Sequence, residues 1–265
     1  MLIHGLASSS HIWDLVAPAL GRLGVGAVAY DQRGHGRSTK PSAGYGFEHT
    51  AADAAAVIRA AGLRRPIVVG HSWGANVALE LAGRRPRLVS GAILLDGAFS
   101  SMRERFDWPT AKAVLSPPPF ADIPLEAFVA GIPEHTGLER TPEIEAVVLS
   151  MVRVDGSGRV HPRLTRANHL KILHALWAQD TQELLRRVRV PTLVLAARTR
   201  HVTSEQADFA RAKAAAAGSV RGIGSPVSFE WIEGIHDVPL QRPKAVARRI
   251  ARFAGSARTF VRRRT

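Results

Sequence analysis

The stretch from Val68 to Ala82, VVGHSWGANVALELA, decides the fold. It joins a short β-branched run, PIVVG, to a segment whose apolar residues recur at helical spacing, ANVALELAGRR. The change of period falls at Ser72, so a strand is expected to turn sharply into a helix there. Gly70 and Gly74, two residues to either side, let the strand and helix backbones approach closely. Such a turn lifts the serine hydroxyl out of the sheet edge, near the positive end of a helix dipole, where a nucleophile would sit. A G-x-S-x-G pattern alone also arises by chance in a Gly-rich chain.

Outward from that point the chain alternates. MLIHG reads as the end of a strand, SSSHIWDLVAPALGRLG as a capped helix and VGAVAYD as the next strand. The Gly-rich turn QRGHGRS follows, then the helical FEHTAADAAAVIRAAG. After the serine helix, LVSGAILLDGAF is a strand ending on Asp96. The rhythm breaks from 99 to 187, where LSPPPFADIP interrupts several amphipathic helical stretches, including PEIEAVVLSMV and RANHLKILHALWAQD. It resumes with PTLVLAA, a helix around Glu205 to Ala217, the strand VSFEWIEG and a final helix from Lys244. Strands alternating with helices imply an α/β fold, a mostly parallel sheet with helices on both faces. The expected division is a core of residues 1–98 and 188–258, a helical cap at 99–187 and a basic tail at 259–265.

Composition narrows the class. The chain has 265 residues, 46% of them hydrophobic, enough for a substantial core. No apolar run approaches the roughly 20 residues of a membrane span, and no secretory leader pattern opens the sequence, so a cytoplasmic location is expected. There is no cysteine, which excludes thiolate nucleophiles, thiolate metal ligands and disulfides. The net charge is +14, from 36 Lys and Arg against 22 Asp and Glu. The basic residues are scattered and not interleaved with aromatics, so they read as a solvated surface and not as a nucleic-acid platform.

Taken in order, IHGLASSSHIW, YDQRGHGRS, GHSWGANVALELA, GAILLDGAF, PTLVLAA and GIHDVPLQRP resemble the α/β-hydrolase family over nearly the whole chain outside the insertion. The resemblance implies Ser72 as nucleophile and His236 as general base. It implies an oxyanion hole from the backbone N–H groups of Leu6, beyond the His4–Gly5 pair, and of Trp73. It implies a small-molecule substrate and no metal or organic cofactor. The reaction expected is hydrolysis of an ester, lactone or thioester. C–C bond hydrolysis, perhydrolysis, hydroxynitrile cleavage and a non-catalytic binding role stand as alternatives. A serine at position 72 argues against epoxide hydrolases and haloalkane dehalogenases, which need a carboxylate there.

Two departures from the family pattern bear on the site. The position aligned with the usual triad acid is Arg200, in LVLAARTRHVTSEQ, with Glu205 and Asp208 following. Asp96, 24 residues after Ser72 at the end of the next strand, is the expected acid, with Glu205 or Asp208 as alternatives. The family's usual antiparallel strand pair before the His-Gly strand is missing, which suggests a start assigned too late or an exposed sheet edge. Phe106, Trp108, Phe128 and Trp177, with Phe120 and Met151, are candidates for an apolar pocket in the insertion.

Overall fold

The computed structural model describes residues 1–117, 122–200 and 207–262, with side chains omitted at 208, 209 and 258–262. The aliphatic runs build one six-stranded sheet. In chain order the elements of the first half are β1 (Leu2–Ile3), α1 (Val16–Gly21), β2 (Ala29–Tyr30), α2 (Phe47–Ala60), β3 (Ile67–His71), α3 (Trp73–Arg84) and β4 (Gly91–Leu95). After the segment 99–187 come β8 (Thr192–Arg198), α10 (Ala207–Arg221), β9 (Val227–Glu233), α11 (Val238–Gln241) and α12 (Pro243–Arg262). The sheet order is β2-β1-β3-β4-β8-β9, and every neighbouring pair is parallel.

Burial on both faces explains why these strands read as continuous apolar runs. Side chains alternate across the sheet. Ile3, Val68, Leu94 and Val194 face one core, packed with α2 and α3. Leu2, Val69, Ile93, Leu95 and Leu193 face the other, beneath α1 and α12. The sheet ends at β2, where Ala29 is exposed and no further strand pairs among the described residues. The expected first helix is divided: Ser9 caps a 3₁₀ turn, Ser10–Trp13, and α1 begins only at Val16. Pro18 accounts for the break, because it lacks the N–H an earlier-starting helix would need and fits only a first turn.

The segment 99–187 contains α4 (Trp108–Leu115), β5 (Ile123–Pro124), α5 (Leu125–Ala130), α6 (Ile132–Thr136), α7 (Pro142–Ser150), β6 (Val152–Val154), β7 (Arg159–Pro162), α8 (Arg166–Ala178) and α9 (Thr181–Arg187). It is therefore not purely helical. β5, β7 and β6 form a small antiparallel sheet. Its hairpin was legible in DGSG between VRV and RVHP, where Asp155 Oδ1 accepts the N–H groups of Ser157 and Arg159. At the other end of the chain, residues 259–262 continue α12, so this part of the basic tail is helical.

A buried polar chain ties the segment to the sheet. Asn76 of α3 donates to Gln179 Oε1 at 2.7 Å, and Gln179 donates to Glu80 Oε2 at 3.0 Å. All three residues are buried. Gln179→Ala leaves two of these groups without partners, at an expected loss of about 1–3 kcal/mol. Urea denaturation of the variant should show that loss as a lower midpoint with an unchanged slope.

Candidate active site

The order of strands brings the candidate residues together before any side chain is considered. β1 lies between β2 and β3, so the chain leaves β1 in one direction and continues from β3 in the other. At such a reversal the loops beyond the carboxyl ends of adjacent strands part and leave a crevice. The His4–Gly5–Leu6 loop follows β1, Ser72 follows β3, Asp96 follows β4 and His236 follows β9.

Ser72 has φ 54° and ψ −125°, a strained conformation for a residue with a side chain. The packing around it leaves no room to relax. A Cβ at Gly70 would lie 2.0 Å from Gly74 O, and one at Gly74 would lie 2.5 Å from the carbonyl oxygens of Ile3 and His4. Ser72 N–H donates to Leu95 O at 2.9 Å, and Ala75 N–H donates to Ser72 O at 2.9 Å, so the turn is held from strand and helix at once. Trp73 opens α3, and its N–H, like that of Leu6, has no acceptor within the protein among the described residues. Free N–H groups at a helix N-terminus and on the adjoining loop are the donors an oxyanion needs.

Asp96 is buried, with its side chain 3% exposed. Its Oδ2 accepts Nδ1–H of His236 at 2.7 Å, while Oδ1 accepts the Ala197 N–H at 2.8 Å and meets Lys213 Nζ of α10 at 2.5 Å. Burial opposes its charge, but His236 and Lys213 outweigh that and hold the carboxyl below the usual carboxylate range. Partial desolvation opposes protonation of His236, yet the hydrogen bond and charge of Asp96, helped by Asp237, raise its pKa above the ordinary imidazole value of 6.5. Lys213 pulls the other way. With Nδ1–H given to Asp96, the neutral ring keeps its Nε2 lone pair free. The His236 side chain is 55% exposed, and no hydrogen bond joins it to Ser72 Oγ among the described residues. Such bonds are often long in a site without substrate.

His71 bears on the same ring: its Nε2–H donates to the His236 carbonyl at 2.9 Å, and the two rings are 5.0 Å apart. Burial first, then the charge of His236, press its pKa down to about 4, so it stays neutral. Position alone did not mark His71 as a support for His236, because the contact spans most of the chain. Lys213 gave no signal either, lying mid-helix in an alanine run. Arg200 is 77% exposed and pairs with Glu233 at 2.8 Å, away from Asp96. Glu205 and the side chain of Asp208 lie outside the described residues, as does Phe120. Of the aromatic candidates, Phe128 and Met151 line a cavity of about 400 Å³. Trp108 and Trp177 pack with His174, and Trp177 Nε1–H donates to Phe106 O at 2.8 Å, so these three residues bind α4 to α8 and do not line that cavity.

A family model described as "alpha/beta hydrolase fold" matches residues 1–213. The chain belongs to this family. The hydrolase-fold chain is 31% identical over 211 residues to a non-heme chloroperoxidase of Burkholderia pyrrocinia, covering 72% of this chain and 70% of that one. It is 34% identical over 134 residues to 2-(acetamidomethylene)succinate hydrolase of Mesorhizobium japonicum, covering 49% and 47%. A non-heme haloperoxidase of Rhodococcus erythropolis matches at 42% over 96 residues, 36% of this chain and 35% of that one. With these last two the chain therefore aligns over less than half of their length. Among solved structures, that of E-2-(acetamidomethylene)succinate hydrolase superposes with a TM-score of 0.73 at 23% identity, covering 96% and 90%. The thioesterase domain from the curacin biosynthetic pathway superposes at 0.71 and 21%, covering 94% and 89%. Among the described residues no helix is long and apolar enough to cross a membrane, and no group of three or more His, Cys, Asp or Glu could hold a metal ion.

The titratable groups facing His236 among the described residues are the charged Asp96, Asp237 and Lys213 and the neutral His71. In Lys213→Met the carboxylate of Asp96 is no longer shared, so the imidazolium gains stability. The His236 titration, followed by its ring signals in NMR, should move upward by about one pH unit.

Proposed function

We propose that the protein is a serine hydrolase that cleaves a small to medium ester, lactone or thioester through an acyl-enzyme. The supporting observation is the Asp96–His236 pair at 2.7 Å, at the same sheet edge as a serine held at φ 54°. Asp96 fixes the tautomer of His236, so the ring presents Nε2 as an acceptor and its cation is stabilised. His236 takes the proton of Ser72 as Oγ attacks the carbonyl carbon. The oxygen that becomes negative is met by the N–H groups of Leu6 and Trp73. His236 returns the proton to the leaving group, and water then repeats the cycle against the acyl-enzyme.

Because the neutral imidazole is the base, activity falls as pH drops through the His236 pKa. That pKa is raised, so the acid limb of kcat/KM is expected above 6.5. Perhydrolysis is the second reading, favoured by the chloroperoxidase likeness over 211 residues. It uses the same acyl-enzyme with peroxide as acceptor in place of water. Formation of peracid from acetate and hydrogen peroxide, measured beside ester hydrolysis, separates the two. The epoxide hydrolases related to this chain do not guide the reading, since Ser72 supplies no carboxylate nucleophile.

A fluorophosphonate probe should label the protein, with the adduct on Ser72 by peptide mass spectrometry. Ser72→Ala should abolish both labelling and ester turnover, and full turnover in that variant excludes the mechanism. Asp96→Asn should keep the fold, judged by circular dichroism, and lower kcat by about 10⁴.

A further inference from the structure

The cavity of about 400 Å³ lies between the loop that leaves β1 and the segment 99–187. Ala7 and Ser8, next along the chain from Leu6, form one wall, and Phe128, Val148 and Met151 line an apolar part. The loop is fixed there: Ala7 N–H donates to His35 Nε2 at 3.2 Å, and the His35 ring stacks on Trp73 with centroids 5.4 Å apart. The cavity thus begins one residue beyond the Leu6 amide.

Its remaining wall is cationic. Arg163 and Arg166 both line it, and no carboxylate lies among the lining residues described. Neither arginine has an ion-pair partner among the described residues, although Arg side chains elsewhere in this chain pair repeatedly with Asp or Glu. Among the described residues, Arg163 Nε and Ser8 Oγ are buried with no hydrogen-bond partner, and an unpaired buried polar atom costs free energy. The N-terminus of α8 adds to the same sign. Thr165 caps it, both Thr165 and Arg166 line the cavity, and its first turn holds no acidic residue. His35 and His169 line the cavity too, but burial pushes the pKa of His35 down to about 3 and that of His169 below the usual imidazole range. The fixed positive charge is therefore that of the two guanidinium groups.

We propose that this cavity receives an acyl chain ending in a carboxylate, anchored by Arg163 and Arg166. The inference rests on the serine-hydrolase reading for the position of the scissile carbonyl. The apolar wall takes the methylenes, and the planar guanidinium offers paired N–H donors that match a carboxylate. The volume lies within the range of small-molecule sites, about 300–1,000 Å³, so the occupant is a short acyl chain.

Two measurements on the full chain test this. The first compares kcat/KM for 4-nitrophenyl pentanoate and for mono-4-nitrophenyl glutarate, which share chain length and differ in the terminal carboxylate. The glutarate ester should be preferred about tenfold or more, Arg163→Gln should lower the ratio about 100-fold, and Arg163→Lys should recover part of it. A wild-type ratio near one, or a ratio that Arg163→Gln does not move, overturns the proposal. The second measures glutarate binding to Ser72→Ala by calorimetry, with and without Arg163→Gln, so that it does not depend on turnover. Arg163-dependent glutarate binding without hydrolysis of either ester would uphold the anion site and count against the hydrolase reading. Hydrolysis of both esters without glutarate binding would do the reverse. Inorganic phosphate binding as tightly as glutarate would overturn the assignment to a carboxylate.

Discussion

The rest of the structure depends on a contact that glycine alone permits, the approach of α3 to β3 and β1 around Ser72. The carbonyl oxygens of Ile3 and His4 lie where a Cβ on Gly74 would stand. Ser72 is therefore held in the left-handed region by neighbours that cannot withdraw without separating the central strands. The strain is local, and the parallel pairs β1–β3 and β3–β4 with the two cores behind them sustain it. The same squeeze leaves the Trp73 amide at a helix start with no internal partner among the described residues. Strain and free donor are thus one feature of the same turn.

Around that turn the polar groups divide into those already satisfied and those left open. Asp96 is saturated by His236, Ala197 and Lys213, so it fixes the orientation and charge preference of the histidine. Lys213 moderates that preference by opposing the charge of the imidazolium. His4, His35 and His71 are buried and neutral, each with at least one ring nitrogen bonded to backbone. They act as fixed dipoles and spacers beneath the site. Among the described residues the groups left without a partner include the Leu6 and Trp73 amides, Ser8 Oγ and Arg163 Nε.

The segment 99–187 supplies the outer wall of the cavity and is bound to the sheet by polar contacts as well as apolar ones. The chain Asn76–Gln179–Glu80 and the bond from Asn168 to the Tyr45 hydroxyl at 2.8 Å cross between the two regions. Buried polar links of this sort favour one docking geometry, because any other leaves their groups unpaired.

The sheet strands, the turn at Ser72 and the strand end at Asp96 were legible in the sequence because each depends on a local rule, whereas His236 was marked only by the family resemblance. Strands buried on both faces are written as apolar runs, a strained turn needs small residues at fixed offsets, and a strand end is marked by the change in pattern after GAILLD. The small sheet within 99–187 was missed because its strands are two to four residues long, although DGSG marked its hairpin. Strand order, the pairing of Lys213 with Asp96 and the support of His236 by His71 were not legible at all. Each joins separate stretches of the chain, and no local periodicity encodes which stretches meet. Which aromatics line a cavity and which only join two helices was equally hidden, since Phe128 and Trp177 present the same apolar signature until the chain is folded. The two arginines that line the cavity were indistinguishable from the other basic residues for the same reason. Whether a guanidinium meets a carboxylate, water or an empty cavity is settled by what the rest of the chain places in front of it.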